Sequence, residues 1–265
     1  MTLPQVSSIS PISGPKQSAI PASLHQIKTH CATCSMHDLC LPVGLSEADI
    51  SRLDDIIRRR RRIKRGETLY RMGEKFQYLY AIRFGHFKAI QVESSGAEQI
   101  TGFQMSGELL GLDGIATDIH QCDAIALEDS EVCEVPFVQL EDLFREIPGL
   151  QRHFHRMMSR EITREQGVML LLGSMRAEQR LAAFLLNLSG RYAARGYSAN
   201  RFQLRMTREE IGNYLGLTVE SISRLLTKFR QQDWLKVEQR ELEIVNHDEL
   251  KKLISGTPDE DCSNA

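Results

Sequence analysis

The sequence predicts an α+β protein: a β-rich region, one long helix and a small helical domain near the C-terminal end. Three observations predict it. Between Arg59 and about Phe137, short apolar runs alternate with glycine-marked turns at Gly66, Gly73, Gly85, Gly96 and Gly107. From Pro148 to Gly173, apolar residues recur every three or four positions. From Met206 to Leu235, two helical patterns flank a single glycine.

The 265 residues suffice for two domains of ordinary size. Hydrophobic residues make up 42% and charged residues 26%, as in soluble globular proteins. With a net charge of −2, any basic surface for nucleic acid has to be local. No apolar run reaches the roughly 20 residues of a membrane span, and no basic-then-apolar leader opens the chain, so a cytoplasmic protein without membrane contact is expected. The cysteines are Cys31, Cys34, Cys40, Cys122, Cys133 and Cys262. In a reducing compartment, three of them packed together point to metal rather than disulfides.

In chain order, residues 1–24 are rich in Ser, Pro and Ile without a steady period and are expected to form a loose tail. Residues 25–147 form the first folded unit. It begins with CATCSMHDLC, followed by a helix over Leu45–Arg58, with Ser46 as N-cap and Ile50, Leu53, Ile56 and Ile57 as its apolar stripe. The run Arg58–Arg62 stands at a helix-to-strand junction and is expected to be solvated surface. ETLYRMG, YLYAIRFG, HFKAIQVESSG and EQITGFQMSG then read as the strands of an antiparallel barrel or jelly roll.

Residues 148–175 hold the long helix. Pro148 suits its first turn and Gly173 its end. It is roughly 40 Å long at 1.5 Å per residue. Phe154, Met158, Ile162, Met169 and Leu172 form one seam, and Arg156, Arg160, Glu161 and Arg164 the opposite face. A helix lying on its own core is the commoner arrangement. The narrow seam and charged face favour a coiled-coil contact with a second copy. Glu165 falls on that seam, so a symmetric pair would bring two carboxylates together and leave the contact poised.

Residues 176–254 form the second domain, beginning with a helix over Ala177–Ala194. Thr207 and Glu210 make a capping box. A first helix runs to Leu215, Gly216 breaks it, and a second runs to about Arg230 with Ile222, Leu225, Leu226 and Phe229 inward. This is a helix-turn-helix whose second helix would enter a major groove. Glu220, Ser221, Ser223 and Arg224 point outward; Arg can pair with guanine and Glu can accept from cytosine. An ordinary Glu220–Arg224 surface pair is the competing reading. Arg201, Arg205, Arg208, Arg224, Lys228, Arg230 and Lys236 make the stretch locally basic, which favours phosphate contact. Trp234–Asn246 alternates as a hairpin wing, and residues 255–265 are expected to be a loose acidic tail.

Cys31, Cys34 and Cys40 follow a C-x2-C-x5-C spacing whose soft thiolates suit zinc or an iron–sulfur cluster equally. A fourth ligand could come from Cys133, Cys122, His37 or His30. No nucleophile–base constellation is present, so a binding protein is expected rather than an enzyme.

The cysteine cluster, LYAIRFG, EQITGF, SGELLGLDGI, VCEVPF, RLAAFLLNLS and MTREEIGNYLGLTVESISRLL together resemble the fumarate and nitrate reduction regulator (FNR) group of the cyclic-AMP receptor protein superfamily. The resemblance covers about Cys31 to Ile254. It implies a double-stranded β-roll sensor, a dimerisation helix and a winged helix-turn-helix. It further implies an oxygen-labile [4Fe–4S] cluster, with Cys31, Cys34, Cys40 and Cys133 as ligands and no role for Cys122. It assigns base reading to Glu220, Ser223 and Arg224 on a two-fold TTGAT…ATCAA site. It places at Glu165 an acidic residue that opposes dimerisation when the cluster is absent. Contacts of barrel loops, including the Ser94–Gly96 turn, with RNA polymerase are also implied. Cyclic-nucleotide binders of the superfamily follow their Gly-Glu-Leu turn with an Arg-Ser or Arg-Thr pair. Here Gly107-Glu108-Leu109 is followed by His120-Gln121-Cys122, so no cyclic-AMP binding is expected.

Overall fold

The computed structural model describes residues 31–57, 59–92 and 96–256. The expected tail over 1–24, residues 257–265 of the expected second tail, His30, Arg58, Ser94, Ser95 and Cys262 lie outside the described residues; Ser255, expected in that tail, instead ends a helix.

Helix α1 (Glu47–Ile56) starts where Ser46 Oγ accepts the Asp49 N–H at 3.2 Å, satisfying an otherwise orphaned donor. Eight strands follow: β1 (Arg59–Ile63), β2 (Thr68–Tyr70), β3 (Tyr78–Phe84), β4 (His86–Val92), β5 (Glu98–Met105), β6 (Leu109–Leu110), β7 (Asp123–Ala126) and β8 (Ser130–Pro136). They form two four-stranded antiparallel sheets, ordered β1-β8-β3-β6 and β2-β7-β4-β5. Phe87, Ile63, Ile82, Ala124 and Val132 fill the space inside this roll. The outer face of the first sheet, with Leu79, Ala81 and Val135, instead packs against α1 and α2 (Phe137–Glu146).

The arginine run stays largely solvated, as expected, with the Arg59 and Arg62 side chains 69% and 88% exposed, but it is also a strand. Arg59–Arg62 lie in β1, paired residue for residue with β8. Two buried β8 carboxylates, Glu131 and Glu134, take them up: Arg59 Nε donates to Glu134 at 2.8 Å, and Arg62 lies 3.5 Å from Glu131. A strand of four arginines is tolerable because its partner supplies the opposite charge.

Helix α3 spans Pro148–Ser174 with proline in its first turn. Its start is buried, with Leu150 and Phe154 in the sensor-side core and the Phe154 ring 5.0 Å from that of Phe144. Farther along, Ile162, Met169 and Leu170 are 52%, 74% and 64% exposed. Of the expected seam, Phe154 is therefore an anchor, Met158 and Leu172 are partly buried against the two cores, and only Ile162, Glu165 and Met169 are uncovered; Leu170 adds to that exposed apolar surface.

The C-terminal domain contains α4 (Ala177–Ala193), β9 (Arg201–Gln203), α5 (Arg208–Leu215), α6 (Val219–Gln231), β10 (Leu235–Glu238), β11 (Glu241–Ile244) and α7 (His247–Ser255). The hairpin β10–β11 gains β9 as a third strand. This domain docks on the roll through a shared core in which Ile90, Ile100, Phe103 and Met105 meet Leu181, Phe184 and Leu188. Polar contacts fix the orientation. Lys88 Nζ lies 2.8 Å from Glu210, and Asn213 accepts the Ile100 N–H at 2.6 Å while donating to the Glu98 carbonyl at 2.8 Å.

The strongest link is Glu108, in the turn before β6. Arg191 reaches it at 2.7 Å, Arg195 at 2.7 Å and Arg164 at 3.3 Å. Arg164, expected on the outer face of α3, thus turns inward and also pairs with Glu161. Burial alone would raise the Glu108 carboxyl. The three guanidiniums outweigh burial and bring it from 4.5 down to about 2. A depressed folded pKa stabilises the fold above about pH 4.5, and the effect fades as the pH falls toward 2. Glu108→Gln should lower the unfolding free energy at pH 7 by about 3 kcal/mol, because it strands buried guanidiniums. Urea titrations at pH 7 and pH 3 should show the difference from wild type shrinking at the lower pH.

Candidate metal centre and nucleic-acid interface

The cysteine loop is a series of tight turns. Cys34 N–H bonds the Cys31 carbonyl at 3.2 Å, His37 N–H the Cys34 carbonyl at 3.0 Å, and Cys40 N–H the Met36 carbonyl at 3.0 Å. Met36 and Leu41 are buried and anchor it. Its start is fixed by Asp54 of α1, whose carboxylate accepts the Cys31 N–H at 2.9 Å. Its end rests on the turn at Gly107, where φ is +87° and a Cβ would come within 2.9 Å of Leu39 Cβ.

Cys31, Cys34, Cys40 and Cys133 all line one cavity, together with His37 and Arg83. Cys133 reaches it because alternate β8 side chains point out of the roll, opposite Arg60 and Ala81 on the flanking strands. Cys122 does not join them. It is buried inside the roll beside Tyr70, which fits its exclusion from the ligand set. Among the described residues, no three His, Cys, Asp or Glu side chains converge to hold a single metal ion.

Burial raises the Cys31 thiol, helped by Asp54, and pushes Cys40 up to about 12. It raises Cys133 too, with Arg60 opposing it. Buried thiols so close together resist ionising without a cationic partner. Iron would supply that charge, and four soft sulfurs are a donor set of an iron–sulfur cluster, so the residues present fit the group the resemblance implies. Arg60 and Arg83 flank these sulfurs; from the sequence, Arg60 fell in a run read as solvated surface and Arg83 was given no role. Arg83 is held in place by Glu131 at 2.5 Å.

His153 of α3 was also not singled out by its sequence context. It is buried, and its Nε2–H donates to the Cys40 carbonyl at 3.1 Å. Burial lowers its pKa, favouring the neutral ring.

At the far end, α5 starts with the expected capping box: Thr207 Oγ1 accepts the Glu210 N–H at 3.1 Å, and Glu210 accepts the Thr207 N–H at 2.7 Å. Gly216 ends it at φ +62°, in the left-handed conformation glycine adopts freely. Thr218 caps α6 by accepting the Ser221 N–H at 3.2 Å. Glu220 and Arg224 are exposed near the start of α6. Arg224 donates to Ser221 at 3.4 Å rather than to Glu220, and Ser223 Oγ is held by Arg208 at 3.1 Å. The basic excess is smaller than the sequence implies, because Arg205 pairs with Glu128 at 3.0 Å and Lys228 with Glu178 at 2.7 Å.

In the roll, the stretch His120–Cys122 carries no guanidinium. Instead, the Asp113 carboxylate accepts the Gln121 N–H at 2.7 Å and the Tyr70 hydroxyl at 3.3 Å, and the His120 ring stacks on Tyr70. No described helix is long and apolar enough to cross a membrane.

Comparison with known proteins agrees with this architecture. Residues 60–146 match the cyclic nucleotide-binding domain family and residues 179–253 the Crp-like helix-turn-helix domain family. The fumarate and nitrate reduction regulatory protein of Escherichia coli K12 is 47% identical over 228 residues, covering 86% of this chain and 91% of its own. The transcriptional regulatory protein btr of Bordetella pertussis is 47% identical over 225 residues, covering 85% of this chain and 93% of its own. FixK2 from Bradyrhizobium japonicum superposes with a TM-score of 0.68 at 30% identity, over 74% of this chain and 96% of its own. With these relatives covering most of its length, the chain belongs to the FNR group of the cyclic-AMP receptor protein superfamily, a family of helix-turn-helix transcription regulators rather than enzymes.

Proposed function

We propose that this protein is an oxygen-responsive transcription regulator. It holds a [4Fe–4S] cluster on Cys31, Cys34, Cys40 and Cys133, pairs as a homodimer, and binds palindromic promoter DNA while the cluster is intact, controlling anaerobic gene expression. The observation that carries this reading is the meeting of four thiols, three from a loop and one from β8, in one cavity at the foot of α3. The relatives' names support it. A bound cluster supplies oxygen-labile iron–sulfur chemistry.

The chain's own residues do the rest. With its thiolates engaged, the Cys31–Cys40 loop is fastened to β8; without that link, Asp54 and apolar contacts remain. The exposed Ile162, Met169 and Leu170 offer the partner surface, and exposed Glu165 between them opposes pairing. A modest bias at the start of α3 therefore decides between the monomer and the dimer. In the dimer, two α6 helices present Glu220, Ser223 and Arg224 to successive major grooves. RNA polymerase is the further partner the family implies, through loops of the roll. A cyclic nucleotide is not a ligand: a phosphate entering at Gln121 would meet the Asp113 carboxylate.

Four measurements test this. Anaerobically purified protein should be brown, carry iron and sulfide, and bleach in air, while a colourless zinc protein would overturn the reading. In that preparation, Cys133→Ala should abolish operator binding; binding with unchanged salt dependence removes Cys133 from the ligand set. Glu165→Ala should give partial dimerisation in air, and sedimentation showing only monomer with and without oxygen would reject the poised seam. Calorimetry with cyclic AMP should show no heat of binding, whereas micromolar affinity would contradict the role given to Asp113.

A further inference from the structure

The cavity and the dimer surface are different places. The thiols lie at the start of α3, while the exposed apolar residues begin at Ile162, two turns beyond Phe154. Some contact has to carry the state of one to the other. Apolar packing joins Cys40 and Leu41 to Leu150 and Phe154 of α3, while other contacts lead away from it: Asp54 belongs to α1, and Leu39 rests on the turn at Gly107. Among the described residues, one directed polar contact leads to α3. The Nε2–H of His153, buried on α3, donates to the Cys40 carbonyl at 3.1 Å. The acceptor belongs to one of the four thiol-bearing residues. The donor's neighbour in sequence, Phe154, is the ring that fixes α3 against Phe144 of α2.

We infer that His153 is the positioning residue that couples the cysteine loop to the dimerisation helix. This rests on the proposed cluster reading and adds the route by which it acts. When the loop is fastened to β8, the Cys40 carbonyl is held still, and the hydrogen bond sets the azimuth of the first turns of α3. When the loop loosens, the acceptor wanders and the helix loses that restraint. A single hydrogen bond is worth up to about tenfold in an equilibrium, enough to tip a seam opposed by Glu165.

The test separates coupling from stability. His153→Leu keeps volume and removes the donor; His153→Gln keeps an amide donor. For each, the monomer–dimer constant is measured by sedimentation in anaerobic protein and again after iron removal, with iron and sulfide counted beforehand. In His153→Leu the cluster should load normally, while the iron-dependent gain in dimerisation falls by about tenfold. His153→Gln should recover most of it. A structural role alone would weaken both forms equally and leave the gain unchanged, and that result overturns the inference. Loss of the cluster itself in His153→Leu also overturns it, by placing His153 in the site rather than beyond it. Should His153→Leu not fold, failure of His153→Gln to retain the gain overturns it instead. If wild type shows no iron-dependent gain, the cluster reading fails first, which the wild-type control reveals on its own.

Discussion

Burial of the thiols around one cavity is the constraint on which the sensor half depends. Cys40 and Cys133 sit among the apolar residues that hold the outer face of the first sheet to α1 and α2. Water cannot easily solvate thiolates there, and the nearby cysteines disfavour one another's ionisation. Arg60 and Arg83 relieve part of that cost from the side of the sheet, Arg83 being steadied by Glu131. The site is thus built to be completed by positive charge from within. The same residues that pack the loop make its position sensitive to whether that charge is present.

Two further contacts extend this sensitivity along the chain. His153 joins the loop to α3, and Glu108 joins the roll, α3 and α4 through three arginines. Because α4 and α5 share a core with β4 and β5, the recognition helix is oriented by the roll as well as by α3. A shift at the start of α3 is therefore felt by the DNA-reading face through packed elements rather than a flexible linker.

What was legible in the sequence was mostly local. Ser46, Pro148, and Thr207 with Glu210 announced helix starts because capping is a matter of a few adjacent residues. Gly216 announced the turn. Alternation and glycines announced the roll, and the spacing of Cys31, Cys34 and Cys40 singled out three thiols that the structure brings to one cavity. The fourth cysteine was indicated by resemblance, since nothing in spacing distinguishes Cys133 from Cys122; only the facing of β8 does. The misread features are long-range. Arg59–Arg62 is solvated as read, but its pairing as a strand was hidden because Glu131 and Glu134 lie far along the chain on β8. Arg164 looked outward-facing until Glu108 was placed beneath it. His153 sits in a run of polar residues, and its acceptor is a backbone carbonyl, which leaves no trace in composition. Strand β9 is too short to show a period of its own.

The central claim is that an intact metal centre at the four thiols controls pairing, and pairing controls DNA binding. It is tested most directly by removing iron stepwise from a single anaerobic preparation. At each occupancy, the dimer fraction is measured by sedimentation velocity and the operator affinity by fluorescence anisotropy. The account predicts that both decline together as iron is lost. Undiminished pairing and undiminished affinity in the iron-free protein would contradict it.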